Sequence, residues 1–326
     1  MLALAAQARW EVPLMFIFGD ENQHHGKLPW VTLSLIIINL LTFCAQQFLG
    51  ESFTNGFSLV PYEITEFTDL TKPEKVKLKV PAGMYWDQQT KQARTRYEHE
   101  YAVVNHYHGP FPIVLTLLTS IFLHGDWLHL IGNLWFLGVF GRNVEFALDH
   151  GRFLAFYLAC GLVGSLAQVF SDMSSVIPCL GASGAISGIM GAYVAIYPLN
   201  KIKIWFGWWI GVIELPAIVV VGFWFLFQYV SAFLELESGV MDGIAYWEHI
   251  GGFAAGVAIV WGTVFWLRYQ QANAGETAEA GPEPAPEPVV AAVESASDPF
   301  ANFLTLSTSQ YVKAAEERRV TNRDSW

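Results

Sequence analysis

"SGAISGIMGAYVAIYPL", residues 183–199, carries no charge and spaces Gly184, Gly188 and Ala192 four residues apart. On a helix such residues stack along one face, and a ladder of small side chains lets another backbone approach closely. A second ladder, Gly252 and Gly256, runs through "AYWEHIGGFAAG" (245–256), with His249 three residues before Gly252 and on the same face. Ser183 has three readings. It is a cap for the helix it opens, a packing residue, or a nucleophile that glycine-to-glycine contact brings within reach of His249.

The surroundings decide which solvent this helix meets. The chain has 326 residues, of which 53% are hydrophobic and 14% charged, against about 25% charged in an ordinary soluble domain. That is too little charge for a soluble shell, so the chain belongs in a bilayer. A formal net charge of −11 argues against a nucleic-acid partner, which requires clustered Lys and Arg. The three cysteines, Cys44, Cys160 and Cys179, show no CxxC or Cys/His spacing that suggests a metal. Cys179 precedes Ser183 by four residues with no basic group beside it, and reads as a packing residue.

About 20 apolar residues cross the hydrocarbon as a helix. The pattern predicts six spans: 30–49, 127–148, 153–170, 183–199, one within 208–234, and 248–267. The expected fold is therefore an all-α polytopic membrane bundle of six transmembrane helices. It comprises an N-terminal segment (1–29), a six-span domain (30–268) with a long loop at 51–126, and an acidic Ala/Pro/Glu-rich tail (269–326) with the composition of a disordered linker. Arg152, Lys201, Lys203 and Arg268 fall on the side shared with the N-terminus, while the short loops 171–182 and 235–247 hold no Lys or Arg. By the positive-inside rule both termini are expected to be cytoplasmic. The compact six-span form suits a bacterial inner membrane.

Polar side chains inside spans are costly and mark function by default. His129 and Asn133 share a face of the second span, and His124 precedes it. Ser183 opens the fourth span and His249 the sixth, so five polar groups gather at one depth on the outer side. A metal held by His124, His129 and His249 is disfavoured, because a five-residue spacing does not share one helix face and no HExxH motif accompanies them.

The segments "TSIFLHGDWLHLIGNLWFLGVFGRNVE" (119–145), "GASGAISG" (181–188) and "AYWEHIGGFAAG" resemble the signature segments of rhomboid intramembrane serine proteases, and the resemblance runs from about residue 15 to 268. It implies a Ser–His dyad without cofactor or metal, with Ser183 as nucleophile and His249 as general base. His129, Asn133 and the Ser183 backbone N–H match the oxyanion hole. His124, Gly181, Gly184, Gly252 and Gly256 match supporting positions, and Glu145 a structural glutamate. The implied partners are the lipid bilayer and membrane-anchored protein substrates.

Two departures stand out. Ser187 occupies a place where relatives often carry an aromatic against the catalytic ring. The loop before the second span lacks a Trp-Arg pair and has a long insertion at about 51–110. Glu248 adjoins His249, but neighbours on a helix point about 100° apart, so it is a poor orienter for that ring. Two other functions compete: a proteolytically inactive rhomboid-like protein that binds membrane clients, and a transporter or channel. The inactive form typically lacks the serine or the histidine, and both are present here. A conduit needs polar residues throughout, whereas "YVAIYPL" (193–199) and "VAIVWGTVFW" (257–266) are almost wholly apolar.

Overall fold

The computed structural model describes residues 16–20, 28–87, 91–205, 211–238 and 243–279. Its elements in chain order are β1 (Phe16–Asp20), α1 (Trp30–Leu49), α2 (Glu51–Phe57), α3 (Pro61–Glu66), β2 (Glu74–Asp87), β3 (Gln92–Val104), α4 (Ile113–Phe122), α5 (Trp127–Leu148), α6 (His150–Ser171), α7 (Ser183–Ile196), β4 (Lys201–Trp205), β5 (Val212–Pro216), α8 (Ala217–Ser238) and α9 (Tyr246–Glu279). The chain is a polytopic helical membrane bundle. Among the described residues four helices, α1, α6, α8 and α9, are long and apolar enough to cross a bilayer, and α4 with α5 forms a further pair bent by 78°.

Helix α7 is the axis of the bundle. Every residue in it except Ser183 and Ala195 is buried, whereas α1, α8 and α9 turn Ile37, Leu41, Phe223, Leu226, Trp261 and Phe265 outward. With 14 residues at about 1.5 Å each it measures roughly 21 Å, short of the roughly 30 Å hydrocarbon. It therefore cannot reach both faces of the hydrocarbon, and it is entered through the 172–182 connection.

The glycine ladders explain the packing of α9 on α7. A Cβ on Gly252 would overlap the carbonyl oxygen of Gly184, and one on Gly256 would overlap that of Gly188. The two backbones touch directly. Helix α5 is fixed at both ends. The Asp126 carboxylate accepts the His129 N–H at 2.8 Å and caps the first turn. Towards the other end, the fully buried Glu145 accepts the N–H groups of Val31 and Thr32 at 2.9 and 2.8 Å and the Thr32 hydroxyl at 2.6 Å. One carboxylate thus caps the start of α1, which lacks acceptors of its own.

Two small antiparallel sheets stand beside the helical bundle. One has the order β1-β4-β5 at the foot of α7, where the Tyr193 hydroxyl donates to Asp20 at 2.7 Å. The segment expected to cross from 208 instead turns helical only at Ala217. Residues 201–205 and 212–216 pair as strands, with Lys201 and Glu214 in an ion pair at 3.4 Å. The other sheet is the β2–β3 hairpin, paired from Glu74↔Val104 to Asp87↔Gln92, within the stretch read as a long loop. Helix α9 continues to Glu279. The rest of the expected tail lies outside the described residues, as do 1–15 and 21–27 of the N-terminal segment.

Candidate active site

Ser183 is the first residue of α7 and its Oγ lies 2.8 Å from Nε2 of His249 on α9. The close contact of the glycine ladders makes this possible, since a serine side chain cannot span an ordinary helix–helix separation. Asn133 and Gly132 of α5, Ile186 of α7 and Trp224 of α8 line, with Ser183 and His249, a cavity of about 140 Å³. Asn133 is 7% exposed, and its Nδ2 donor has no hydrogen-bond partner among the described residues. A buried unsatisfied donor costs about 1–3 kcal/mol, so this amide is poised for an acceptor entering the cavity.

His129 stands over Gly181. That glycine has φ +143°, and a Cβ there would come within 2.9 Å of Cε1 and Nε2 of the His129 ring. Any side chain would be strained and would also displace the ring. The Gly125 N–H approaches His129 Nδ1 at 3.5 Å, which favours the tautomer with the proton on Nε2, the nitrogen nearest Gly181. His124 packs its ring edge-on against His129 with centroids 5.2 Å apart. Its main chain is held by Gln46 of α1, which bonds both its N–H and its carbonyl at 3.0 Å. The bend between α4 and α5 is pinned there, and with it the start of the helix carrying His129 and Asn133.

Residues 113–265 match the model of the rhomboid domain, a stretch that contains all five polar groups. That match, just under half of the chain, assigns this stretch to the rhomboid family. It is 39% identical over 144 residues to "Rhomboid protease GluP" of Bacillus subtilis, covering 44% of this chain and 25% of that protein. It is 30% identical to "RHOMBOID-like protein 5" of Arabidopsis thaliana, covering 47% and 45%, and 28% identical to "Rhomboid protein 1, mitochondrial" of Saccharomyces cerevisiae, covering 45% and 41%. The chain spans less than half the length of each.

Within this rhomboid domain the departure at Ser187 has a structural counterpart. Ser187 donates its hydroxyl to the Ser183 carbonyl at 2.6 Å. The aromatic neighbour of His249 comes instead from α8, where the Trp224 ring lies 6.0 Å away at 38°. Glu248 does not address its neighbour's imidazole. Its carboxyl lies against Gly184, whose N–H it accepts, at the start of α7. A carboxyl there meets the positive end of the helix.

The sequence reading missed Gln228. Its Oε1 lies 2.8 Å from His249 Nδ1. A lone amide in "GFWFLFQYV" (222–230) satisfies the same rule that singled out His129 and Asn133, and Gln46 satisfies it in α1. Cys179 pairs its main chain with Leu59, at 2.7 and 2.9 Å, and burial pushes its thiol up to about 12. That shift disfavours the thiolate, the nucleophilic form.

Proposed function

We propose that this chain is a serine endopeptidase that hydrolyses membrane-anchored proteins in or near their transmembrane segments. The 2.8 Å hydrogen bond between Ser183 Oγ and His249 Nε2 carries this reading. A relative named as a rhomboid protease, GluP of Bacillus subtilis, supports the class of activity.

In this mechanism Ser183 Oγ attacks the scissile carbonyl carbon while its proton passes to His249 Nε2. The oxyanion forms among the Asn133 Nδ2, the His129 ring N–H and the backbone N–H of Ser183. Such a donor typically contributes about 2.7–4 kcal/mol to the barrier reduction. The intermediate collapses as His249 returns the proton to the leaving amine, and an acyl-serine remains. Water, deprotonated by the same nitrogen, then releases the new carboxyl terminus. In this reading residues 30–268 form the protease domain and both termini are cytoplasmic. The site opens to the outer face of a bacterial inner membrane. The basic short loops at Arg152 and Lys201–Lys203 support the orientation.

The test is labelling of the purified, detergent-solubilised chain by a fluorophosphonate. Wild type is expected to react, and Ser183→Ala and His249→Ala are not. Equal labelling of Ser183→Ala would move the nucleophile elsewhere. Absence of labelling in folded wild type that admits the probe would favour the inactive client-binding alternative.

A further inference from the structure

We propose that Gln228 is the positioning residue of the dyad, holding His249 in the one neutral tautomer that can serve as base. This inference rests on the protease reading for its catalytic meaning, though not for its geometry. A neutral imidazole has one N–H and one bare nitrogen. To take the Ser183 proton, Nε2 must be bare, so the proton must sit on Nδ1, and a buried N–H there needs an acceptor. Gln228 Oε1 supplies it at 2.8 Å, on the far side of a ring whose Nε2 is 2.8 Å from Ser183 Oγ.

The placement of Gln228 is otherwise costly. It is 6% exposed on a helix whose neighbouring residues Phe227, Tyr229 and Val230 face outward, and an amide buried in an apolar bundle is unfavourable unless bonded. Trp224, one turn earlier on the same face, sets its ring beside the imidazole. Helix α8 thus lends the base both a hydrogen bond and a wall. The opposite protonation, with the hydrogen on Nε2, would leave that nitrogen unable to accept from serine and would require the Gln228 amide to turn over and present its N–H to Nδ1 in place of the Oε1 found there.

Gln228 differs from the carboxylate of a three-membered serine protease site in having no charge. It orients the ring and stabilises the imidazolium less than a carboxylate would. The titratable groups around His249 are His129 from α5 and, on its own helix, Glu248, whose carboxyl is turned to Gly184. Gln228 and Trp224 from α8, Ser183 from α7 and Gln168 from α6 are uncharged. A carboxylate introduced at 228 would be the negative group directed at the ring.

The test uses the full chain in detergent, with Gln228→Met, which keeps length and removes the acceptor, and Gln228→Glu, which keeps the acceptor and adds charge. Nitrogen NMR of ¹⁵N-histidine protein, with the His249 signals assigned by their loss in His249→Ala, reads the tautomer whether or not the protein hydrolyses anything. Wild type is expected to carry the proton on Nδ1, and Gln228→Met to lose that preference. In the wrong tautomer a serine protease loses on the order of 10⁴-fold in kcat. Gln228→Met retains a mixture and is expected to lose about 10²-fold in kcat, with KM little changed. Gln228→Glu is expected to keep the tautomer, to recover most of the rate lost in Gln228→Met, and to move the acidic limb of the rate profile up by about one pH unit or more. A proton on Nε2 in wild type, or an unchanged rate and pH profile in Gln228→Met, would overturn the proposal. Inactivity of every form, with the Nδ1 proton present in wild type and lost in Gln228→Met, would uphold the role of Gln228 in setting the ring and defeat the protease reading instead.

Discussion

The carbonyl oxygen of Gly184 occupies the space that a side chain on Gly252 would need, so the helices bearing Ser183 and His249 meet backbone to backbone. At Gly184 itself a Cβ would meet the Cγ and Oε1 of Glu248 at 2.7 and 2.8 Å. Those atoms belong to a side chain, which can shift at the cost of its bond to the Gly184 N–H, whereas a backbone carbonyl cannot.

This asymmetry sets an order. Gly252→Ala and Gly256→Ala force α7 and α9 apart and are expected to cost about 1–3 kcal/mol or more from overpacking. Both lower the thermal midpoint in detergent and abolish fluorophosphonate labelling. Gly184→Ala shifts only the Glu248 side chain and is expected to be milder in both readouts. Equal loss at all three positions would contradict the direct-contact account.

Asn133 separates transition-state binding from folding. Its Nδ2 has no partner among the described residues, so Asn133→Ala breaks no hydrogen bond made by that donor in the resting protein. Removing one oxyanion donor typically costs about 10²–10³ in kcat. Asn133→Ala is expected to lose that factor with KM and the melting temperature nearly unchanged. A variant that melts early at full turnover would make Asn133 a structural residue.

Much of this arrangement was legible in the sequence, and what was not has physical reasons. Apolar runs near 20 residues and ladders of small residues report burial directly, so the helices and the approach of His249 to Ser183 could be anticipated. The hairpin was overlooked although "KVKLKV" (75–80) alternates with a period of two, the signature of a strand. The β1-β4-β5 sheet joins chain segments some 180 residues apart, and five-residue strands carry little pattern of their own. Gln228 could have been found as a lone amide in a span. Its partner could not, because the choice of imidazole nitrogen depends on how α8 is rotated against α9.

Glu145 is expected to govern stability more than chemistry. Its carboxylate accepts from the main chain of Val31 and Thr32, from the Thr32 hydroxyl and from His150 Nδ1. Glu145→Ala strands the buried donors, at about 1–3 kcal/mol each, and should yield little folded protein. Thr32→Val removes only the hydroxyl bond and is expected to cost about 1 kcal/mol. Size-exclusion profiles and thermal melts would show the ranking, and a stable Glu145→Ala chain would refute it.

Glu63 of α3 lies outside the spans and gives a pH signature of its own. It is 4% exposed and accepts the Leu70 N–H at 2.9 Å, and burial pushes its carboxyl up from 4.5 to about 7, with nearby Asp69 adding to the rise. Below about pH 4.5 the group is protonated whether the chain is folded or not. Between about 4.5 and 7 only the unfolded chain releases the proton, so folding stability falls as pH rises through that window and levels off above it. At about 1.36 kcal/mol per pH unit the fall is on the order of 3 kcal/mol. Glu63→Gln keeps an acceptor for Leu70 and removes the ionisation. Comparing melts at about pH 5 and about pH 8, the wild type should lose more stability on going up in pH than Glu63→Gln. Parallel losses in the two proteins would mean that Glu63 ionises at its ordinary value, and that α3 seats it in a wetter place than its burial indicates.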